Sequence, residues 1–159
     1  KYCQDKKVLD SGCGYGWGSY LICREAKEVV GIDKDEQAIT FARKHFKDKN
    51  LIFKKNSILK LSKVFNEKFN VILGMEVIEH LNRKDGFKYF SECFNVLNKD
   101  GVLMLSSYFP SSKKLAIKSE KKNPFHLHIY TKKELLEDCY SVGFRKINFL
   151  GNYMTVIKK

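Results

Sequence analysis

Short, nearly continuous apolar runs alternate along the chain with longer stretches in which apolar residues recur every three or four positions. Val8-Leu9, Val29-Val30-Gly31-Ile32, Leu51-Ile52-Phe53, Val71-Ile72-Leu73 and Val102 to Leu105 are too short for helices and lack the polar alternation of a solvent-washed sheet, so they predict buried strands. Ser19 to Lys27, Asp35 to Phe46 and Phe87 to Leu97 carry the helical period. The second of these has acids in its first turn and Arg43, Lys44 and His45 in its last, matching the helix dipole. Asn98-Lys99-Asp100-Gly101 predicts a turn before the fifth strand. Ser111 to Asn123, rich in lysine and serine and without a clear period, predicts a loop or lid. Thr131 with Glu134 three residues on caps a helix from Lys132 to Ser141. Lys146 to Leu150 and Tyr153 to Ile157 around Gly151-Asn152 predict a closing hairpin. Strand and helix alternating in this way make an α/β fold with a mostly parallel sheet.

The first strand ends in an acid and breaks into glycines, Asp10-Ser11-Gly12-Cys13-Gly14-Tyr15-Gly16, and the second ends in Asp33. That is the spacing of a βαβ nucleoside-binding unit. A dinucleotide fingerprint counted from Gly12 and Gly14 needs a third glycine where Trp17 stands. Asp10 would also repel a pyrophosphate, whereas it suits a ligand carrying an ammonium and a sulfonium, the charges of S-adenosylmethionine (SAM).

Val8 to Gly16 resembles motif I of the class I SAM-dependent methyltransferases, and Phe69 to Leu81 resembles their fourth-strand motif. The resemblance covers nearly the whole chain. It implies a Rossmann-like doubly wound sheet of seven strands with an antiparallel C-terminal hairpin strand. It also implies a single methyltransferase domain over 1–159 without the family's usual N-terminal helices, and SAM as cofactor. The implied cofactor-binding residues are Asp10, Ser11, Gly12, Cys13 and Gly14 in the turn, with Asp33 accepting from the ribose hydroxyls. Lys34 flanks the adenine, Asn56 and Ser57 meet its edge, and Met75 lies against the methionine part. Asn56 stands where the family commonly has an acid.

Methyl transfer to a hydroxyl needs a proton acceptor, and His80 is the candidate base, with Glu79 beside it. If the chain turns helical after Met75, Glu76, Glu79 and His80 share one face. Joined by His126 or His128 they could hold Mg²⁺ or Mn²⁺. That set resembles the small-RNA 2′-O-methyltransferases and, in part, the ubiquinone O-methyltransferases. Asn123-Pro124-Phe125-His126 more closely resembles methyltransferases encoded beside surface-polysaccharide genes. The favoured reading is therefore metal-free O-methylation of a small molecule or glycan, with RNA methylation or SAM binding without turnover as alternatives.

An apolar share of 43% in 159 residues suits one core-bearing domain. No apolar run approaches the roughly 20 residues of a membrane span and no leader precedes the first strand, so a cytoplasmic protein is expected. The five cysteines, an odd number without a C-x-x-C pair, read as reduced thiols rather than disulfides or zinc ligands. A net charge of +12 raises nucleic-acid binding, but the 30 basic residues include only four arginines, Arg24, Arg43, Arg83 and Arg145. Scattered lysines of that kind read as a solvated surface.

Overall fold

The computed structural model describes residues 2–159. Its seven strands are β1 (Lys7–Ser11), β2 (Glu28–Asp33), β3 (Leu51–Lys55), β4 (Phe69–Met75), β5 (Leu97–Ser106), β6 (Lys146–Leu150) and β7 (Met154–Lys158). They form one sheet in the order β3-β2-β1-β4-β5-β7-β6. The first five strands pair in parallel, and β7 runs antiparallel to both β5 and β6. The doubly wound reading and its antiparallel closing strand are both present.

The inner strands are apolar on both faces because helices cover both. On one face Leu9, Ile32, Ile72 and Leu103 meet Tyr89, Phe90 and Cys93 of α4 (Arg83–Val96) and Leu135 and Cys139 of α6 (Lys132–Val142). On the other, Val8, Val29, Val71 and Leu73 meet Cys23 of α1 (Trp17–Cys23) and Ile39 and Ala42 of α2 (Glu36–His45). A short α3 (Leu61–Val64) follows a 3₁₀ turn at Ile58–Lys60. Asp35 caps α2 by accepting from the N–H groups of Gln37 and Ala38, and Thr131 and Glu134 form the capping box of α6.

Four expectations are corrected. α1 starts two residues early and ends at Cys23, because Lys27 and Glu28 are already bonded to Lys6 O at the amino ends of β1 and β2. Asn98 to Gly101 lies within β5, where the register with β4 shifts between Phe69 and Val71, so a bulge replaces the turn. The hairpin link has three residues, Gly151 to Tyr153, since Leu150 pairs with Met154. Ser111 to Asn123 is not an irregular lid but holds α5 (Lys113–Glu120), capped by Ser112. Ala116 is its one buried residue, so the helix leaves almost no apolar period to read.

A concavity of about 670 Å³, lined in part by Tyr2, Lys6, Asn70 and Asn98, opens at the amino ends of β1 and β4. The glycine turn lies at the opposite end of the same strands.

Candidate functional site

Strand order reverses between β1 and β4, and open α/β sheets bind ligands beyond the carboxyl ends of the strands at such a point. There β1 runs into a turn in which Gly12, Gly14 and Gly16 have φ of +83°, +51° and +87°, a region that side-chain-bearing residues seldom adopt. The turn is pinned from below. The N–H groups of Gly12 and Cys13 donate to Ile32 O at 2.8 and 2.9 Å, and Gly16 N–H donates to Cys13 O at 2.9 Å. A Cβ on Gly12 would come within 2.6 Å of Val77 Cγ2, so the turn lies against the exit of β4. A Cβ on Gly14 would meet nothing within 4 Å, which leaves that stretch of backbone clear for a ligand.

Asp10 is in register with Gly31, and alternation along β2 puts the side chains of Asp10 and Asp33 on one face of the sheet. Their surroundings differ. Asp33 is half-buried and accepts from Gly14 N–H and Asp35 N–H, each at 2.9 Å. A carboxylate offers about four acceptor sites, so it retains capacity for two hydroxyl donors. Asp10 is buried under the turn and accepts from Ser19 Oγ at 2.5 Å. Burial pushes its pKa from 3.8 to about 6, with Ser19 opposing and the charge of Asp33 adding to the rise. The carboxylate expected at the open mouth of the strand, where it would touch a cation, lies beneath the turn instead.

Because the folded chain holds this proton more tightly than the unfolded one, stability is highest below pH 4 as far as Asp10 is concerned, and its contribution is lost as pH rises through about 6. At roughly 1.4 kcal/mol per pKa unit the loss is roughly 3 kcal/mol. Asp10→Asn is expected to remove that slope, so urea denaturation from pH 4 to 7.5 should show the variant gaining on the wild type as pH rises. A constant difference between the two would contradict the burial argument.

The other residues expected to hold SAM fall around this turn. Ser11 points its side chain away, donating to Leu73 O at 2.7 Å and bonding Tyr89 Oη at 2.5 Å, so only its backbone faces the site. Cys13 is half-buried, and burial pushes its thiol pKa far up. Lys34 is exposed beside Asp33. Asn56 N–H donates to Asp33 O at 2.8 Å, while its Oδ1 accepts from Ser57 N–H at 2.8 Å. The two groups assigned to the adenine edge are thus bonded to each other. Met75, half-buried at the end of β4, packs on the α1–α2 side of the core.

No helix starts after Met75. Glu76 takes a left-handed φ of 52° and turns the chain, and only a 3₁₀ turn, Ile78–His80, follows. Glu76 therefore does not share a helical face with Glu79 and His80; its carboxylate accepts from Ser106 Oγ at 2.7 Å. His126 joins the other two instead. One ligand atom from each of Glu79, His80 and His126 lies within 4.8 Å of the other two. Glu79 is 2% exposed, its pKa is raised by burial with the charge of Glu76 adding, and its Oε2 has no partner. His126 is carried there by the chain after α5, tied down by Leu127 N–H to Glu79 O at 2.8 Å. His128 lies elsewhere, 3.7 Å from Glu120 and 3.8 Å from Glu134, with burial lowering its pKa.

The family model described as "Methyltransferase domain" matches residues 4–143. The chain belongs to that family. This methyltransferase domain is 31% identical over 153 residues to a probable SAM-dependent methyltransferase of Mycolicibacterium smegmatis, covering 94% of the chain and 56% of that protein. It is 36% identical over 101 residues to a ubiquinone biosynthesis O-methyltransferase of Pelagibacter ubique, covering 64% of the chain and 41% of that protein. The chain spans about half the length of the curated relatives it matches. Among solved structures, a SAM-dependent methyltransferase from Archaeoglobus fulgidus superposes with a TM-score of 0.81 at 18% identity, covering 99% of this chain and 88% of that one. Magnesium protoporphyrin IX methyltransferase from Synechocystis, solved with bound S-adenosylhomocysteine, gives 0.71 at 16%, covering 98% of this chain and 74% of that one. The fold is that of a class I methyltransferase, and SAM is the family's cofactor.

Proposed function

We propose that the protein transfers a methyl group from SAM to a hydroxyl of a small molecule or glycan. The observation that carries this reading is the cluster of Glu79, His80 and His126 at the exit of β4, the strand exit that touches the glycine turn. Asp10, Ser11, Gly12, Cys13, Gly14, Asp33, Lys34, Asn56, Ser57 and Met75 are assigned to the cofactor, Asp33 through its remaining acceptor sites and Gly14 through its clear backbone face. SAM, when bound, supplies an electrophilic methyl carbon: the hydroxyl oxygen bonds to it, its carbon–sulfur bond breaks, and S-adenosylhomocysteine leaves.

His80 is the proposed base. Its Nδ1 lies 3.0 Å from Phe125 O, and since a carbonyl oxygen only accepts, Nδ1 carries the proton. Nε2 of the neutral ring then has its lone pair free to take the hydroxyl proton. Glu79 is assigned to the same catalytic group as the neighbouring carboxylate. A small acceptor is favoured over RNA because Arg83, one of only four arginines, is paired with Glu134, Glu137 and Asp138 instead of being free to clamp a phosphate.

Calorimetric titration with SAM and with S-adenosylhomocysteine tests the cofactor assignment, both being expected to bind. Asp33→Ala is expected to weaken both by about ten- to a hundredfold, the scale of losing a hydrogen-bond acceptor that carries charge. Undiminished binding by the variant, or none by the wild type, would overturn the assignment.

A further inference from the structure

Lysine is unevenly spread along the chain. Five of the ten residues from 113 to 122 are lysine, against 26 of 159 overall, and no arginine stands among them. They lie on and just after α5, whose one buried residue, Ala116, faces the body of the protein. Helical spacing from Ala116 turns Lys114, Lys118 and Lys121 outward as a row, with the exposed Leu115 and Ile117 on its two flanks. Lys113 is paired with Glu134 at 3.0 Å, whereas Lys114, Lys118, Lys121 and Lys122 take part in none of the ion pairs among the described residues. Glu120, the one acid of this segment, is turned inward: its Oε1 accepts from Ile129 N–H at 2.8 Å and lies 3.7 Å from His128 Nδ1. The outward face is thus positive with no counter-charge of its own.

Exposed apolar side chains follow directly in the chain. Phe125 and Leu127 are 73% and 60% exposed although their backbone is fixed, Phe125 O by His80 Nδ1 at 3.0 Å and Leu127 N–H by Glu79 O at 2.8 Å. Two large apolar side chains held in water on an anchored backbone gain stability only against an apolar partner.

That partner must accept lysines and hydrocarbon together. Nucleic acid supplies the charge, but Leu115, Ile117 and Leu127 have no π face to stack on a base, and phosphate clamps favour the fork of arginine over the point charge of lysine. An anionic lipid surface supplies both. Its phosphate headgroups meet the ammonium groups, its acyl chains lie just beneath for the apolar side chains, and the lysine stems lie along the boundary. α5 has eight residues, so the contact is with the headgroup layer and spans nothing.

We infer that the outward face of α5, with Lys114, Lys118 and Lys121, together with the exposed Phe125 and Leu127 beside the exit of β4, docks the protein on an anionic lipid surface. Docking of this kind does not depend on the methyltransferase reading.

Co-sedimentation with vesicles of phosphatidylcholine alone, or of phosphatidylcholine and phosphatidylglycerol in equal parts, tests this. Binding to the mixed vesicles is expected at about 0.1 M salt and is lost at about 1 M, where screening cuts the reach of the lysines to about 3 Å. Lys114→Gln, Lys118→Gln and Lys121→Gln should each lower the partition coefficient about fivefold and together about a hundredfold, the usual effect of lysines near such a surface. Phe125→Ala should lower it about tenfold at constant charge. No binding to the mixed vesicles, equal binding to phosphatidylcholine alone, undiminished binding by the triple-lysine variant or by Phe125→Ala, or release from the mixed vesicles by duplex RNA at an equal concentration of phosphate would each overturn it. None of these readouts involves SAM, so a failure of the methyltransferase reading would leave the docking surface standing.

Discussion

His80→Ala is expected to lower kcat about a hundred- to ten-thousandfold, the usual contribution of a positioned general base, while leaving SAM affinity within about twofold. The separation follows from position. His80 ends the 3₁₀ turn beyond β4, whereas the groups assigned to the nucleoside end lie on the β1, β2 and β3 exits. Tritium transfer from labelled SAM to catechol gives kcat, and calorimetry gives the affinity. A fully active variant at neutral pH removes the base role. Loss of SAM binding along with activity would mean that the ring supports the site rather than acting on the acceptor. The bond from His80 Nδ1 to Phe125 O makes the second outcome a real alternative, because Ala also frees the segment that carries His126. His80→Asn separates the two: its amide can keep the bond to Phe125 O and supplies no base, so activity should be as low as in His80→Ala with the segment still anchored.

Phe53→Ala is expected to destabilise the fold by about 3–5 kcal/mol, the range for deleting a buried aromatic ring. For a chain of this size that lowers Tm by about 6–20 °C. Phe53 is buried on β3 and its ring fills the space beside two bare glycines. A Cβ on Gly31 would come within 2.7 Å of Phe53 Cδ1, and one on Gly16 within 2.7 Å of Phe53 Cζ. The ring therefore packs beneath the glycine turn as well as between strand and helix, and its loss leaves Gly16 without a floor. Thermal and urea unfolding measure the stability, and SAM titration of the folded variant should show weaker binding. A cost below about 1 kcal/mol would mean that Gly16 and Ala42 collapse into the vacated space and that the turn does not depend on the ring.

Much of this architecture is written in local pattern. Val8-Leu9, Val29 to Ile32 and Val71 to Leu73 could only be buried strands, since no other element hides so short an apolar run on both sides. The acids that close β1 and β2, the glycines after Asp10 and the capping box at Thr131 are local signals, readable because their geometry depends on neighbours in sequence. Local signals failed where tertiary contacts outweighed them. Helix α5 buries a single alanine among lysines, so its period is nearly invisible. The bulge in β5 is set by its register with β4.

The candidate site divides in the same way. Asp10 and Asp33 announce themselves as strand-terminal acids, but only packing decides that one is roofed over by the turn with its pKa near 6 while the other stays open to hydroxyl donors. Glu79 and His80 are adjacent in sequence and legible as a pair. Their partnership with His126, 46 residues beyond His80, the turning of Glu76 off a shared helical face and the placing of His128 elsewhere follow from a left-handed residue after β4 and from how one loop returns across the strand ends. Sequence by itself determined the layers, the strand exits and the identity of the chemical groups. Tertiary structure alone decided which of those groups meet and which tautomer His80 presents, because hydrogen-bond partners across long loops are chosen by packing and leave no trace in local spacing.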